Sequence, residues 1–246
     1  MLLIYTPKPT QRITYIFNHI CKRILGLKIK FTSSIEKFIA YSGPKLSYGK
    51  KELGNELFFQ SAELLFQEGF DSIDVVVKDW EETKCFFAVG KNSSLPFDIF
   101  SASFYLLSRY EEYLPHVKDN KGSFLASESI AFKSGFLESP VVDIWAYKFK
   151  KLLLKYFPEL IFIDKKPKIH TLVNAGFPLL YKSKGVLRTF IAYLDDLIKF
   201  NLKNIFNRTS VLLGFRKDPY NTFNWIINTV KKSKNKLTFF FFIGRF

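Results

Sequence analysis

The chain is poor in the residues that usually announce chemistry: 246 residues contain two cysteines, one methionine and three histidines. Cys21 and Cys85 are too few for a disulfide framework and lack the CxxC spacing of a zinc ribbon, so a reducing, cytoplasmic setting is expected. Long apolar runs are missing as well. The longest late one, Leu237 to Ile243, falls far short of the roughly 20 residues a membrane span needs. The opening MLLIYTPKPTQR has too short an apolar run before Lys8, and no basic stretch ahead of it, for a signal peptide. No GxGxxG, GxxxxGK[ST] or GxSxG occurs, which removes the usual dinucleotide, P-loop and α/β-hydrolase signals. Ser47-Tyr-Gly-Lys50 matches SxxK but sits among glycines and off any helix, and is read as non-catalytic.

Acidic residues are scarce in one region only. Residues 1–164 hold 21 basic and 19 acidic side chains, a net of +2, whereas residues 165–246 hold 16 and three, a net of +13. An anionic partner must therefore be considered for the last third. The lysines there are dispersed over amphipathic segments with no Arg-rich run and no nucleic-acid motif, so nucleic acid is not favoured as a partner.

What is present reads as mixed α/β. MLLIY is a short buried strand, and Ile13, Ile16, Phe17, Ile20, Ile24 and Leu25 recur at helical spacing over 10–25. KIKFT, KFIAYSG, ELFFQ, IDVVV and KCFFAVG have the β-branched and aromatic character of strands. Pro96 and Asp98 favour a helix start for FDIFSASFYLLSRYEEY, which Pro115 ends. Ser139-Pro140 opens a second helix through VVDIWAYKFKKLLLKYF, stopped by Pro158. PELIFIDKKPK, 158–168, reads as a linker. Beyond it come a buried strand KIHTLV, a helix from Gly185, a helix opened by Asp218-Pro219 as cap and first turn, and a buried strand LTFFFFI. A strand, a helical excursion and a second strand begin a βα barrel or a doubly wound sheet, and the chain stops at Phe246 before either could close. The expected organisation is a mixed α/β amino-terminal domain over 1–160, then an incomplete (β/α)-barrel fragment over 161–246.

His19, His116 and His170 are far apart in sequence and lack carboxylates at metal-ligand spacing, which assigns them structural roles. The adjacent acids Glu81-Glu82, Glu111-Glu112 and Asp195-Asp196 point about 100° apart on a helix and read as solvated. SRYEEYLP carries the strongest local signal. Arg109 and Glu112 are three apart and suited to an ion pair, with Tyr110 and Tyr113 beside them. Arg109, Tyr110, Glu112 and Tyr113 are thus candidate ligand contacts, with a carbohydrate as the candidate ligand.

LPFDIFSASFYLLSRYEEYLPHVKD and ASESIAFKSGFLESPVVDIWAYKF resemble the amino-terminal domain of Bacteroidetes polysaccharide-deacetylase-like proteins. HTLVNAGFPLLYKSKGVLRT, VLLGFRKDPYNTFNWI and FFFFIGRF resemble the start of their NodB-homology domain. The resemblance implies metal-dependent hydrolysis of acetyl groups on sugars, with one Asp as base and a second Asp plus two His holding a divalent ion such as zinc. Thr171, Leu172 and Val173 match the first acidic motif, but Asn174 and Gly176 stand where its acids belong, and Arg245 occupies a later acidic position. The histidine pair belongs to segments that would follow residue 246. Asn supplies neither a base nor an anionic ligand, and Gly supplies no side-chain ligand. The sequence therefore predicts a truncated, degenerate copy with no metal, no cofactor and no deacetylase activity; a non-catalytic glycan- or protein-binding module in residues 1–164 is the alternative.

Overall fold

The computed structural model describes residues 1–163, 167–233 and 235–242. The chain is mixed α/β and divides into two compact units, Met1–Lys165 and Lys166–Phe246.

The amino-terminal unit is built on β1, Leu2–Tyr5, whose four residues are all buried. An unbroken apolar run suits a strand covered on both faces. β1 pairs in parallel with β2 (Ile29–Thr32) on one side and β3 (Lys45–Gly49) on the other, and β4 (Leu57–Gln60) lies beyond β3. The strand order is β2-β1-β3-β4, all parallel. The first crossover is α1, Gln11–Phe17, continued by a π-helical stretch, Asn18–Ile24. Thr10 caps it, accepting from the amide of Ile13. Leu2 and Ile4 join the main core with α1, while Leu3 and Tyr5 pack on the opposite face with Phe38.

Phe38 belongs to α2, Ile35–Ala40, so KFIAYSG is not a strand. Ser34 accepts from the amide of Lys37 and Glu36 sits in the first turn, and this local capping outweighs the β-preference of Phe38 and Ile39. IDVVV is also not a strand. Ile73, Val75 and Val77 alternate into the core with no strand partner among the described residues, and pairing starts only at β5, Lys78–Trp80, against β6, Thr83–Cys85. β3 itself is obscured in the sequence by Pro44, Ser47 and Gly49.

Two helices close the core. α3 spans Ile99–Leu107, with Pro96 outside it and Asp98 as its cap, accepting from the amides of Phe100 and Ser101, each at 3.0 Å. The helix expected to run on to Tyr113 breaks at Arg109, whose φ of 55° is left-handed; Tyr110–Tyr113 is a separate 3₁₀ turn. After a short α4 (Ile130–Lys133), α5 runs over Val141–Tyr156 and buries Val142, Trp145, Phe149 and Leu153. Ser139 makes no side-chain cap to it, because Pro140 occupies the cap position. Phe17 and Phe100 stack at 3.8 Å, and Phe149 meets Phe100 edge-on at 5.5 Å. Part of the expected linker is anchored here, since Leu160 is buried and the amide of Ile163 donates to the Gly26 carbonyl at 3.2 Å. A Cβ at Gly26 would lie 2.3 Å from the Ile163 oxygen, and its φ of +65° also favours glycine.

In the carboxyl-terminal unit β7 (His170–Ala175) pairs in parallel with β8 (Lys236–Phe241), and α6 (Val186–Ile198), α7 (Leu202–Leu212) and α8 (Phe223–Lys232) lie between them in sequence. Both strands were expected to be buried; in β7 only Ala175 is, and β8 is half-buried to exposed, because a two-stranded sheet has few neighbours to cover it. Asp218 does not open a helix. α8 is entered through Thr222, and Asp218 instead accepts from the amides of Leu180, Tyr181, Lys182 and Tyr220. α6 packs by a polar face: Asp196 is buried and bonded to Arg208 Nη2 at 2.6 Å, so this acid is not solvated as expected. Among the described residues, no helix is long and apolar enough to cross a membrane.

Candidate functional site

The break at Arg109 places three charged side chains of the 3₁₀ turn on one cavity. Arg109, Glu111 and Glu112 line a space of about 360 Å³ together with Phe124, Phe136 and the first turn of α5. Arg109 Nε donates to Glu112 Oε1 at 2.5 Å, the ion pair expected from their spacing. Arg109 is largely solvent-exposed, so the pair contributes on the order of 0–1 kcal/mol to stability and serves mainly to orient both groups. Glu111 turns inward and accepts from the amide of Ile130 at 2.7 Å. Burial pushes its carboxyl up, which corrects the expectation that Glu111 is merely solvated.

The two tyrosines part company. Tyr110 is 0% exposed; its hydroxyl accepts from the Asp71 amide at 2.9 Å and faces the Asp71 carbonyl at 3.2 Å, so it braces the core and is out of a ligand's reach. Tyr113 is 62% exposed and stacks on Phe70, itself 52% exposed, with ring centroids 4.4 Å apart and planes 10° apart. Sequence reasoning missed Phe70, whose only signal is an aromatic residue following Gly69 in an acidic turn. Of the four candidate contacts, Arg109, Glu112 and Tyr113 are accessible.

The histidines are structural in setting. Burial lowers the pKa of His19, which lies 6.0 Å from the Tyr15 ring. His116 Nδ1 lies 2.7 Å from the Leu114 carbonyl oxygen, and His170 Nε2 lies 2.9 Å from Thr238 Oγ1, linking β7 to β8. Among the described residues, no three His, Cys, Asp or Glu side chains cluster as metal ligands do. Asn174 is exposed on β7 opposite Phe240, and Gly176 follows the strand with open space around its Cα. An amide and a glycine at a strand's carboxyl end can neither activate water nor supply an anionic ligand. Arg245 lies outside the described residues.

The amino-terminal unit is thus a parallel-sheet α/β domain with a mixed apolar and charged cavity. Residues 2–158 match the model of a family of unknown function, DUF7033, and the chain belongs to that family. No curated protein and no solved structure matches the chain.

Proposed function

We propose that residues 1–164 form a non-catalytic glycan-binding module, in a chain of polysaccharide-deacetylase-like descent that is itself without deacetylase activity. The observation that carries the reading is the exposed Phe70–Tyr113 pair, whose Tyr113 follows the ion-paired Arg109 and Glu112 in the same short segment. A sugar presents an apolar C–H face and a rim of hydroxyls; the half-exposed rings supply an apolar contact for the first, and Arg109 and Glu112 in the same segment supply polar groups for the second. Isothermal titration of the full chain against a glycan panel that includes chitooligosaccharides is expected to give binding. Tyr113→Ala should weaken it about tenfold, a loss of about 1.4 kcal/mol. A flat titration across the panel ends the proposal.

The inactive state is supported by the residues at the end of β7. Acetylated chitooligosaccharides incubated with the protein and Zn²⁺ or Co²⁺ are expected to release no acetate above the metal-only control. Metal-dependent release would contradict this directly.

A further inference from the structure

The sheet of the amino-terminal unit changes direction at β1. The chain leaves β1 for β2 on one side and then returns past it to β3 on the other, with α1 and α2 on opposite faces. In open parallel sheets such a reversal leaves a crevice beyond the carboxyl ends of the two central strands, where neighbouring connections diverge. A space of about 540 Å³ lies there, lined by Tyr5, Lys8, Ser47, Lys50, Lys51 and Phe66 among others. That volume suits a ligand of nucleotide or disaccharide size.

The polar groups around it are organised. Ser47 is buried and bonded to Glu56 Oε1 at 2.5 Å, and the amide of Leu53 bonds the same oxygen at 2.8 Å, which folds the 50–56 connection over the strand ends. Burial opposes ionisation of Glu56, but these hydrogen bonds prevail and hold its carboxyl below the usual range. Lys50 Nζ meets Glu63 Oε1 at 2.5 Å, and Glu63 is held at a φ of 69°. A non-glycine residue in the left-handed region costs energy and is frequent at ligand sites. Glu52 is engaged by Asn92 at 3.3 Å. Lys51 has no carboxylate partner among the described residues, and neither does Lys91, which lines the adjoining space that Lys50 and Lys51 share. The lining thus holds Lys8, Lys50 and Lys51 against Glu52 and Glu63; Lys8 and Lys50 are paired with Glu68 and Glu63, which leaves Lys51 as the lining cation without a carboxylate partner among the described residues, beside an aromatic wall.

We propose that the crevice at the carboxyl ends of β1 and β3 binds a small anionic ligand carrying a ring, its phosphate or carboxylate held by Lys50 and Lys51 and its ring against Phe66. The site shares no residue with the Phe70–Tyr113 surface, so its failure leaves the glycan reading untouched.

The test uses the full chain with adenosine 5′-monophosphate and galacturonate as anionic probes, and adenosine and galactose as their uncharged counterparts. At about ten times Kd, an anionic probe should slow acetylation of Lys50 and Lys51 by about tenfold and leave Lys155 unchanged, while the uncharged counterpart protects neither. The anion that protects identifies the preferred headgroup. Lys51→Glu should weaken that probe's binding at least about tenfold with the unfolding midpoint preserved. The proposal fails if neither anionic probe protects these lysines, if the uncharged counterparts protect equally, or if Lys51→Glu binds as the parent does.

Discussion

Replacing Asp98 with alanine should destabilise the amino-terminal unit by about 3 kcal/mol and lower its melting midpoint by roughly 6–12 °C. The carboxylate is fully buried and ties together three elements that are distant in sequence. Oδ1 accepts from the amides of Phe100 and Ser101 at the start of α3, while Oδ2 accepts from the amide of Ala62 just past β4 and from the hydroxyl of Tyr48 in β3, both at 2.8 Å. Burial pushes the carboxyl up from its ordinary range, and hydrogen bonds from Ser101, Ala62 and Tyr48 work in the opposite direction. Alanine removes the cap, worth about 0.5–2 kcal/mol, and leaves the part-buried Ala62 amide without its acceptor at about 1–3 kcal/mol, while the Tyr48 hydroxyl loses its charged partner but keeps Ser101 Oγ at 3.3 Å. Asp98→Asn separates the two contributions. Its oxygen can still cap α3, but its amide nitrogen faces the Ala62 N–H, so a loss of about half that of alanine is expected. Denaturant unfolding followed by near-ultraviolet dichroism of the aromatic core measures both variants. A loss below about 1 kcal/mol for alanine would show that the junction is not cooperative.

Asp218→Ala is expected to cost the carboxyl-terminal unit about 2–3 kcal/mol. Asp218 is buried and holds the 180–182 segment through three amides, from Leu180 and Tyr181 at 2.8 Å and from Lys182 at 3.1 Å, with Tyr220 adding a fourth. This unit has few buried apolar side chains, so losing that clamp removes a larger share of its stability than the same loss would in the front unit. Limited proteolysis should show cleavage between 176 and 184 accelerated in the variant, with fragments of residues 1–163 unaffected. Unchanged cleavage would mean that the segment is held by other contacts. The same carboxylate sets a pH dependence. Burial alone would raise its pKa, but the four backbone donors outweigh burial and hold it below the usual value. A carboxyl depressed in the folded state contributes stability above its unfolded pKa of about 3.9, and that contribution is lost as pH falls through the folded value. Acid titration by hydrogen exchange should therefore show protection of the 180–182 amides collapsing below about pH 4. In Asp218→Asn this step should be absent.

The candidate site was half legible. Arg109 and Glu112 are three residues apart, and that spacing brings them together in a 3₁₀ turn as well as in the helix expected there. Which tyrosine faces out depended on the left-handed turn at Arg109, and nothing in SRYEEYLP announces that break. Phe70 reaches Tyr113 only because distant segments pack side by side. The lysine crevice was hidden for a related reason: without β3 recognised as a strand, Lys50 and Lys51 lie in no visible relation to Tyr5 or Phe66.

Local signals alone determined the mixed α/β class, the buried β1 and the amphipathic α5. Each rests on periodicity, capping chemistry or side-chain type within one segment, and needs no partner to be read. Tertiary structure decided the rest. Among the described residues IDVVV found no neighbouring strand, the KFIA part of KFIAYSG became helical once Ser34 capped it and Phe38 found Leu3 and Tyr5, and Asp218 gave up a helix start to bind amides almost 40 residues away. A backbone amide or a carboxylate takes whichever partner the packed chain delivers, and that partner is not written in its own segment.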